Sequence, residues 1–150
     1  MAFVGEDLRA FLEDVRLCHW ATVGPKGEPH VRPLWYLYAE KAFWFTTRME
    51  TRRTGADVAA GSPVAVSIAS EERPYRAVIL GGTPEVWPDD RDSWLHRIAT
   101  RYGEGPGLRW LARAVKEPDR VVLRLAPDVV ITWNYGKGSA HKEIPPAELP

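Results

Sequence analysis

The chain has a single cysteine, Cys18, among 150 residues, so no disulfide can form within it. An unpaired thiol makes a reducing, cytoplasmic compartment the default expectation. Long apolar runs are missing too: none approaches the roughly 20 residues that span a bilayer. The opening MAFVGEDLRAFLEDVR is acidic and amphipathic, unlike a secretory leader. Charge of either sign is not in excess. With 20 basic and 20 acidic residues, the chain has no global attraction for nucleic acid or anionic membrane, and any basic site must be local.

Several catalytic signatures are also missing. There is no G-x-S-x-G, no G-x-G-x-x-G and no P-loop. The histidines are His19, His30, His96 and His141. None sits at H-x-x-x-H spacing, and none stands with cysteine or carboxylate in a ligand pattern, so no metal centre is expected. Cys18 follows an apolar helix and reads as a small buried residue rather than a nucleophile.

What is present is a folded globule. The 45% hydrophobic content and seven tryptophans exclude a disordered chain. The length fits one domain with a core of its own. Leu8, Phe11, Leu12 and Val15 follow i, i+3, i+4, i+7 spacing and predict a short helix behind Glu6 and Asp7. Trp20 to Val23 predicts a strand, Pro25-Lys26-Gly27 a turn, and Val31 to Tyr38 a second strand. After a turn at Ala39-Glu40-Lys41, Ala42 to Thr47 gives a third strand, completing an antiparallel meander. Thr51 to Ala60 reads as a helix capped by Thr51, followed by a strand over Val64 to Ala69. A long strand through YRAVILGGTPEVWP is interrupted at Gly81-Gly82, as a bulge or bend requires.

The second half adds a helix from Asp89 to Tyr102, capped by Asp89 and Asp90, with Trp94, Leu95, Ile98 and Ala99 as its apolar stripe. Leu108 to Val115 is helical after a Gly-Pro-Gly break. Arg120 to Leu125 and Val129 to Trp133 are strands. About seven grouped strands and three helices give a mainly β fold, an antiparallel barrel with peripheral helices. The tail from Gly136, with Pro145, Pro146 and Pro150, reads as loose.

Chemistry concentrates between His30 and Asp57. In FTTRMETRR, Thr46, Thr47 and Thr51 offer hydroxyls, and Arg48, Arg52 and Arg53 offer forked guanidinium groups. Arginine at a helix start opposes the helix dipole unless an anion sits there. The plain alternative is a solvated basic face partnered by Glu50. Strand edges, donors and fixed positive charge within ten residues suit a phosphorylated aromatic cofactor.

Four stretches in order resemble the pyridoxamine 5′-phosphate oxidase-like flavin-binding split-barrel family. ATVGPKGEPHVRPLWY is similar to its opening hairpin, FWFTTRMETRR to its strand-to-helix phosphate site, PYRAVILGGTPEV to its long central strand and LAPDVVITWNYGKG to its last strand. The resemblance covers Leu8 to Gly138. It implies an FMN-binding split β-barrel over residues 1–138, with 139–150 as a loose tail. It further implies that Arg32 reaches the flavin phosphate and that Pro33, Leu34 and Trp35 line the isoalloxazine edge. By the same resemblance Thr46 and Thr47 lie near the ring and ribityl chain, and Thr51, Arg52 and Arg53 match the Ser-Arg-Lys phosphate clamp. Arg53 replaces the family's lysine, and the helix lacks the usual Asn-Leu. Trp133, in the last strand, is a further candidate beside the cofactor.

The activity implied is an FMN-dependent oxidoreductase working on a small organic substrate, with hydride chemistry supplied by the cofactor. No catalytic side chain is assigned, and His30 and His96 are expected to play no part in cofactor binding. A homodimer with cofactor at its interface is implied as well, and the surplus of tryptophan suits it. One rival is a reductase using the deazaflavin coenzyme F-420, whose acidic tail would call on Lys26, Arg48 and Arg52. A rival of another class is a non-catalytic flavin- or haem-binding protein. Pyridoxamine phosphate oxidase activity itself is not expected, because those enzymes continue with a basic substrate-binding segment after the position of Trp133.

Overall fold

The computed structural model describes residues 3–138 and 141–150. Ten strands and four α-helices run through the described residues, in two antiparallel sheets that stay separate ladders and make a split barrel. Helix α1 (Gly5–Glu13) opens the chain and buries Leu8, Phe11 and Leu12. Val15 lies beyond its end and is 59% exposed, so the apolar stripe is one residue shorter than the spacing predicts.

Strands β1 (Cys18–Val23) and β2 (Pro29–Leu34) form a hairpin across a turn whose Gly27 takes φ +79°. The expected strand from Val31 to Tyr38 is in fact two. It breaks at Trp35-Tyr36, and β3 (Leu37–Ala39) joins the other sheet, where it pairs with β4 (Ala42–Arg48). The meander is therefore split between sheets. The second long strand divides in the same way: β6 (Arg76–Gly82) stays in the first sheet and β7 (Glu85–Trp87) enters the second. With β5 (Val64–Ala69), β8 (Arg120–Leu125), β9 (Val129–Asn134) and β10 (Lys142–Ile144), the sheet orders are β10-β9-β6-β5-β1-β2 and β3-β4-β8-β7.

The run Ala42-Phe-Trp-Phe45 is apolar at every position because β4 is covered on both faces. Phe43 and Phe45 join Trp20, Leu123 and Leu125 in the core between the sheets. Trp44 points the other way and stacks on Trp94 at 3.5 Å between ring centroids. Trp94 belongs to α3 (Arg91–Arg101), which buries Leu95, Ile98 and Ala99 as its sequence stripe predicts. Asp90 occupies the N-cap position, but no side-chain cap bond is made there. Arg91 instead ties the helix start to the carbonyls of Val115 and Glu117. Helix α4 (Glu104–Ala114) begins earlier than expected, with Pro106 in its first turn, where a missing N–H costs nothing. It crosses α3 closely: a Cβ on Gly107 would meet the Ala99 carbonyl at 2.1 Å.

Helix α2 (Arg53–Ala59) starts two residues later than expected, and Thr51 is not its cap. The N-cap position is Arg52, with no side-chain cap bond, while the Thr51 hydroxyl donates to Asp119 at 3.4 Å. The loose tail is also corrected over 142–150. β10 pairs with β9, Ile144 and Leu149 are buried, and Tyr38 Oη donates to the Pro150 carbonyl. A short apolar patch among prolines is enough to seat this segment on the core. Residues 139 and 140 of that expected tail lie outside the described residues. Among the described residues, no helix is long and apolar enough to cross a membrane.

Candidate functional site

Where β2 leaves the first sheet and β4 runs into α2, a cavity of about 420 Å³ opens. One wall is β2, from Val31 to Leu34, continuing into Trp35. The edge position of β2 tolerates its two prolines, and Pro33 presents only a carbonyl. The floor is the end of β4, with Thr46, Thr47 and Arg48, and the start of α2 contributes Arg52 and Thr54. Trp110 of α4 and Arg120 of β8 close the far side.

The helix start is pressed against the strand end. A Cβ on Gly55 would sit 2.4 Å from the Arg48 carbonyl, so glycine is what lets α2 approach. Asp119 organises the turn between them. Its backbone carbonyl accepts from Met49 N–H at 2.9 Å, and its carboxylate accepts from Glu50 N–H at 3.3 Å. Arg48 Nε donates to the same carboxylate at 3.0 Å. Burial pushes the Asp119 carboxyl upward, but the Arg48 and Glu50 hydrogen bonds and the Arg48 charge outweigh it and hold it below the usual carboxylate range.

Four arginines face the cavity, and they are not equivalent. Arg48 is neutralised by Asp119 and lies 3.8 Å from Glu117. Arg120 is paired with Glu117, donates to Thr46 Oγ1 at 3.2 Å and lies 5.1 Å over the Trp110 ring. The side chains of Arg32 and Arg52 make no ion pair or hydrogen bond among the described residues. Thr46 is already engaged, donating to the Val121 carbonyl at 2.8 Å. Thr47 and Thr54 are buried, and their hydroxyls have no partner among the described residues.

The cavity thus gathers Arg32, Pro33, Leu34, Trp35, Thr46, Thr47 and Arg52. Thr51 and Arg53 stand beside it without lining it, both exposed. Trp133 lies on β9, separated from β2 by the three strands β6, β5 and β1, and packs with Tyr135 and His141. Sequence reasoning gave no role to Val31, Thr54, Trp110 or Arg120. Arg120 could be found only from register, since it pairs across the ladder with Arg48. His30 proves to be engaged: its Nδ1 lies 2.7 Å from Asp57 Oδ2.

A family model described as pyridoxamine 5′-phosphate oxidase matches residues 4–134. The chain belongs to this family. Among curated proteins, none matches it significantly. Solved structures of similar fold include a conserved hypothetical protein from Mycobacterium tuberculosis, at 20% identity and a TM-score of 0.72, covering 96% of this chain and 95% of that one. An F-420 reductase matches at 26% identity and a TM-score of 0.68, covering 85% and 98%. A FAD- and haem-binding protein from Mycobacterium smegmatis matches at 20% identity and 0.66, covering 96% and 82%. For a pyridoxamine 5′-phosphate oxidase-family chain, the split barrel and the cavity at the β2 edge form one consistent architecture.

Proposed function

We propose that the cavity binds a phosphorylated flavin, FMN in the first place, and that the protein is a flavin-dependent oxidoreductase acting on a small organic molecule. The observation that carries this reading is the pair Arg32 and Arg52, two guanidinium groups facing one cavity without acidic partners. A phosphate dianion would supply both, and the guanidinium fork suits its geometry. Thr47 and Thr54 add hydroxyls at the cavity wall that no group among the described residues engages. The backbone of Pro33, Leu34 and Trp35 would run along the ring edge, with Thr46 beside it and with Thr51 and Arg53 flanking the phosphate. The volume lies within the usual range of small-molecule sites.

Bound FMN would supply the hydride transfer. The chain would hold and orient the ring and set the charge around it. No histidine, cysteine, tyrosine or carboxylate is among the described residues lining the cavity, and no side chain there is assigned as acid or base. A deazaflavin, coenzyme F-420, is the second reading, favoured by the 26% identity to an F-420 reductase. Against it, two of the three cations available for an acidic tail are poorly disposed. Arg48 is tied to Asp119, and Lys26, in the β1–β2 turn, is not among the residues that line the cavity. A non-catalytic flavin- or haem-binding protein would bind tightly and turn nothing over.

The proposed assembly is a homodimer through the outer face of the six-stranded sheet. Register aligns Val31, Ala21, Ala65, Gly81 and Val129 in one row of small apolar residues, and Val31 is 67% exposed. Trp133 would then serve the second subunit's cavity. A reducing, cytoplasmic setting suits the unpaired Cys18. The test is titration of cofactor-stripped protein with FMN and, separately, with coenzyme F-420, read by tryptophan fluorescence. FMN binding alone supports the first reading and F-420 preference the second. Binding of neither removes both.

A further inference from the structure

One corner of the cavity is not used by the proposed cofactor contacts. It is made by the side chains of Trp35, Trp110 and Arg120. Three of the seven tryptophans, Trp20, Trp44 and Trp94, are buried in the core. Trp35 and Trp110 are only half-buried and turn towards the cavity.

The corner is braced by contacts within the chain. Trp35 is stacked on Tyr102, with centroids 4.6 Å apart and planes 5° from parallel. Tyr102 is itself fixed at its hydroxyl, which accepts from Tyr36 N–H at 2.9 Å and donates to the Arg16 carbonyl at 2.7 Å. Trp110 meets Trp35 edge-on at 5.3 Å and 60°. Its helix is held at the Gly107–Ala99 crossing. Arg120 lies over the Trp110 ring, and its bonds to Glu117 and Thr46 occupy Nε and Nη1. Nη2 is left by both.

We infer that this corner is the substrate subsite and that it takes a planar aromatic carboxylate. The ring would pack in the angle of the two indoles, where offset and edge-on aromatic contacts are favourable. The carboxylate would take the remaining Arg120 nitrogen. A purely aliphatic acid would gain the charge contact without the ring contact. The word substrate rests on the oxidoreductase reading above; the subsite itself does not.

The experiment is isothermal titration calorimetry of the full chain with 2-naphthoate and with cyclohexanecarboxylate, on wild type, Trp110→Ala and Trp110→Phe. FMN is titrated into each stripped protein as well. We expect 2-naphthoate to bind wild type about tenfold or more tighter than cyclohexanecarboxylate. Trp110→Ala should lose about that factor, Trp110→Phe should keep most of it, and FMN affinity should stay within about twofold in both. No binding of 2-naphthoate to wild type, or equal binding to wild type and Trp110→Ala, overturns the subsite and leaves the cofactor reading untouched. A parallel fall in FMN affinity also overturns it, because the corner would then belong to the cofactor. If 2-naphthoate binds through Trp110 while neither FMN nor coenzyme F-420 binds, the subsite stands and the oxidoreductase reading fails.

Discussion

His30 Nδ1 sits 2.7 Å from Asp57 Oδ2, and this contact fastens strand β2 to helix α2, the two elements that carry Arg32 and Arg52. Thr22 donates to the same oxygen at 2.7 Å, so three elements meet on one buried carboxylate. Burial pushes the Asp57 carboxyl upward. The hydrogen bonds from Thr22 and His30, with the charges of His30 and Arg53, outweigh it and bring it below the usual value. A depressed folded value means stability that is present above the unfolded carboxylate value, about 3.9, and is lost as pH falls through the folded one. Asp57→Ala should therefore cost about 2–4 kcal/mol at neutral pH, since it orphans buried partners. The cost should shrink in acid. Urea unfolding at pH 7 and below pH 4 measures both, and an equal loss at the two pH values would refute the assignment.

Four arginines in and beside the cavity should separate by experiment. Arg32→Ala and Arg52→Ala should each weaken FMN binding by about 1.5–3 kcal/mol, the range for a charge-assisted bond, with little effect on folding. Arg48→Ala should act mainly on stability, because it leaves the buried Asp119 without its cation. Arg53→Ala should change FMN affinity least. Binding isotherms alongside thermal melts distinguish these patterns. Unchanged affinity in both Arg32→Ala and Arg52→Ala would remove the proposed phosphate contact.

Ile144→Ala tests the seating of the C-terminal segment. Ile144 is 1% exposed in the main core, and truncation there should cost about 2–4 kcal/mol. A loose segment would show no loss in the same denaturation curve.

Cys18 offers a chemical check on the core. Burial pushes its thiol up to about 12, so at pH 8 it is a neutral thiol in a closed site. Ellman's reagent should leave it unmodified in the native protein and titrate one thiol after denaturation. Rapid native reaction would mean that β1 opens readily.

Much of this architecture was legible in the sequence. The stripe in α3, the turns at Lys26-Gly27 and Glu40-Lys41, and the doubly covered run Ala42 to Phe45 each carry a local signal that the fold obeys. What escaped depends on distant partners. Periodicity cannot show that the chain changes sheets at Trp35-Tyr36, because the run from Pro33 to Ala39 is apolar without a break. Thr51 has the right chemistry for a helix cap, but Asp119, 68 positions along the chain, takes its hydroxyl. The site divides in the same way. The arginines and threonines of β2, β4 and α2 are close in sequence. Arg120 enters only through its pairing with Arg48, and Trp110 only through the packing of α4.

The prolines at 29 and 33 have a wider consequence for β2. An outer strand with a full row of free amides is a template for any extended chain that passes, and it invites aggregation. Proline cannot donate, so at both positions a recruited strand would find a gap in its ladder. The margin of the sheet is in this way poorly suited to polymerisation, while a compact ligand with few contacts to make can still lie along it.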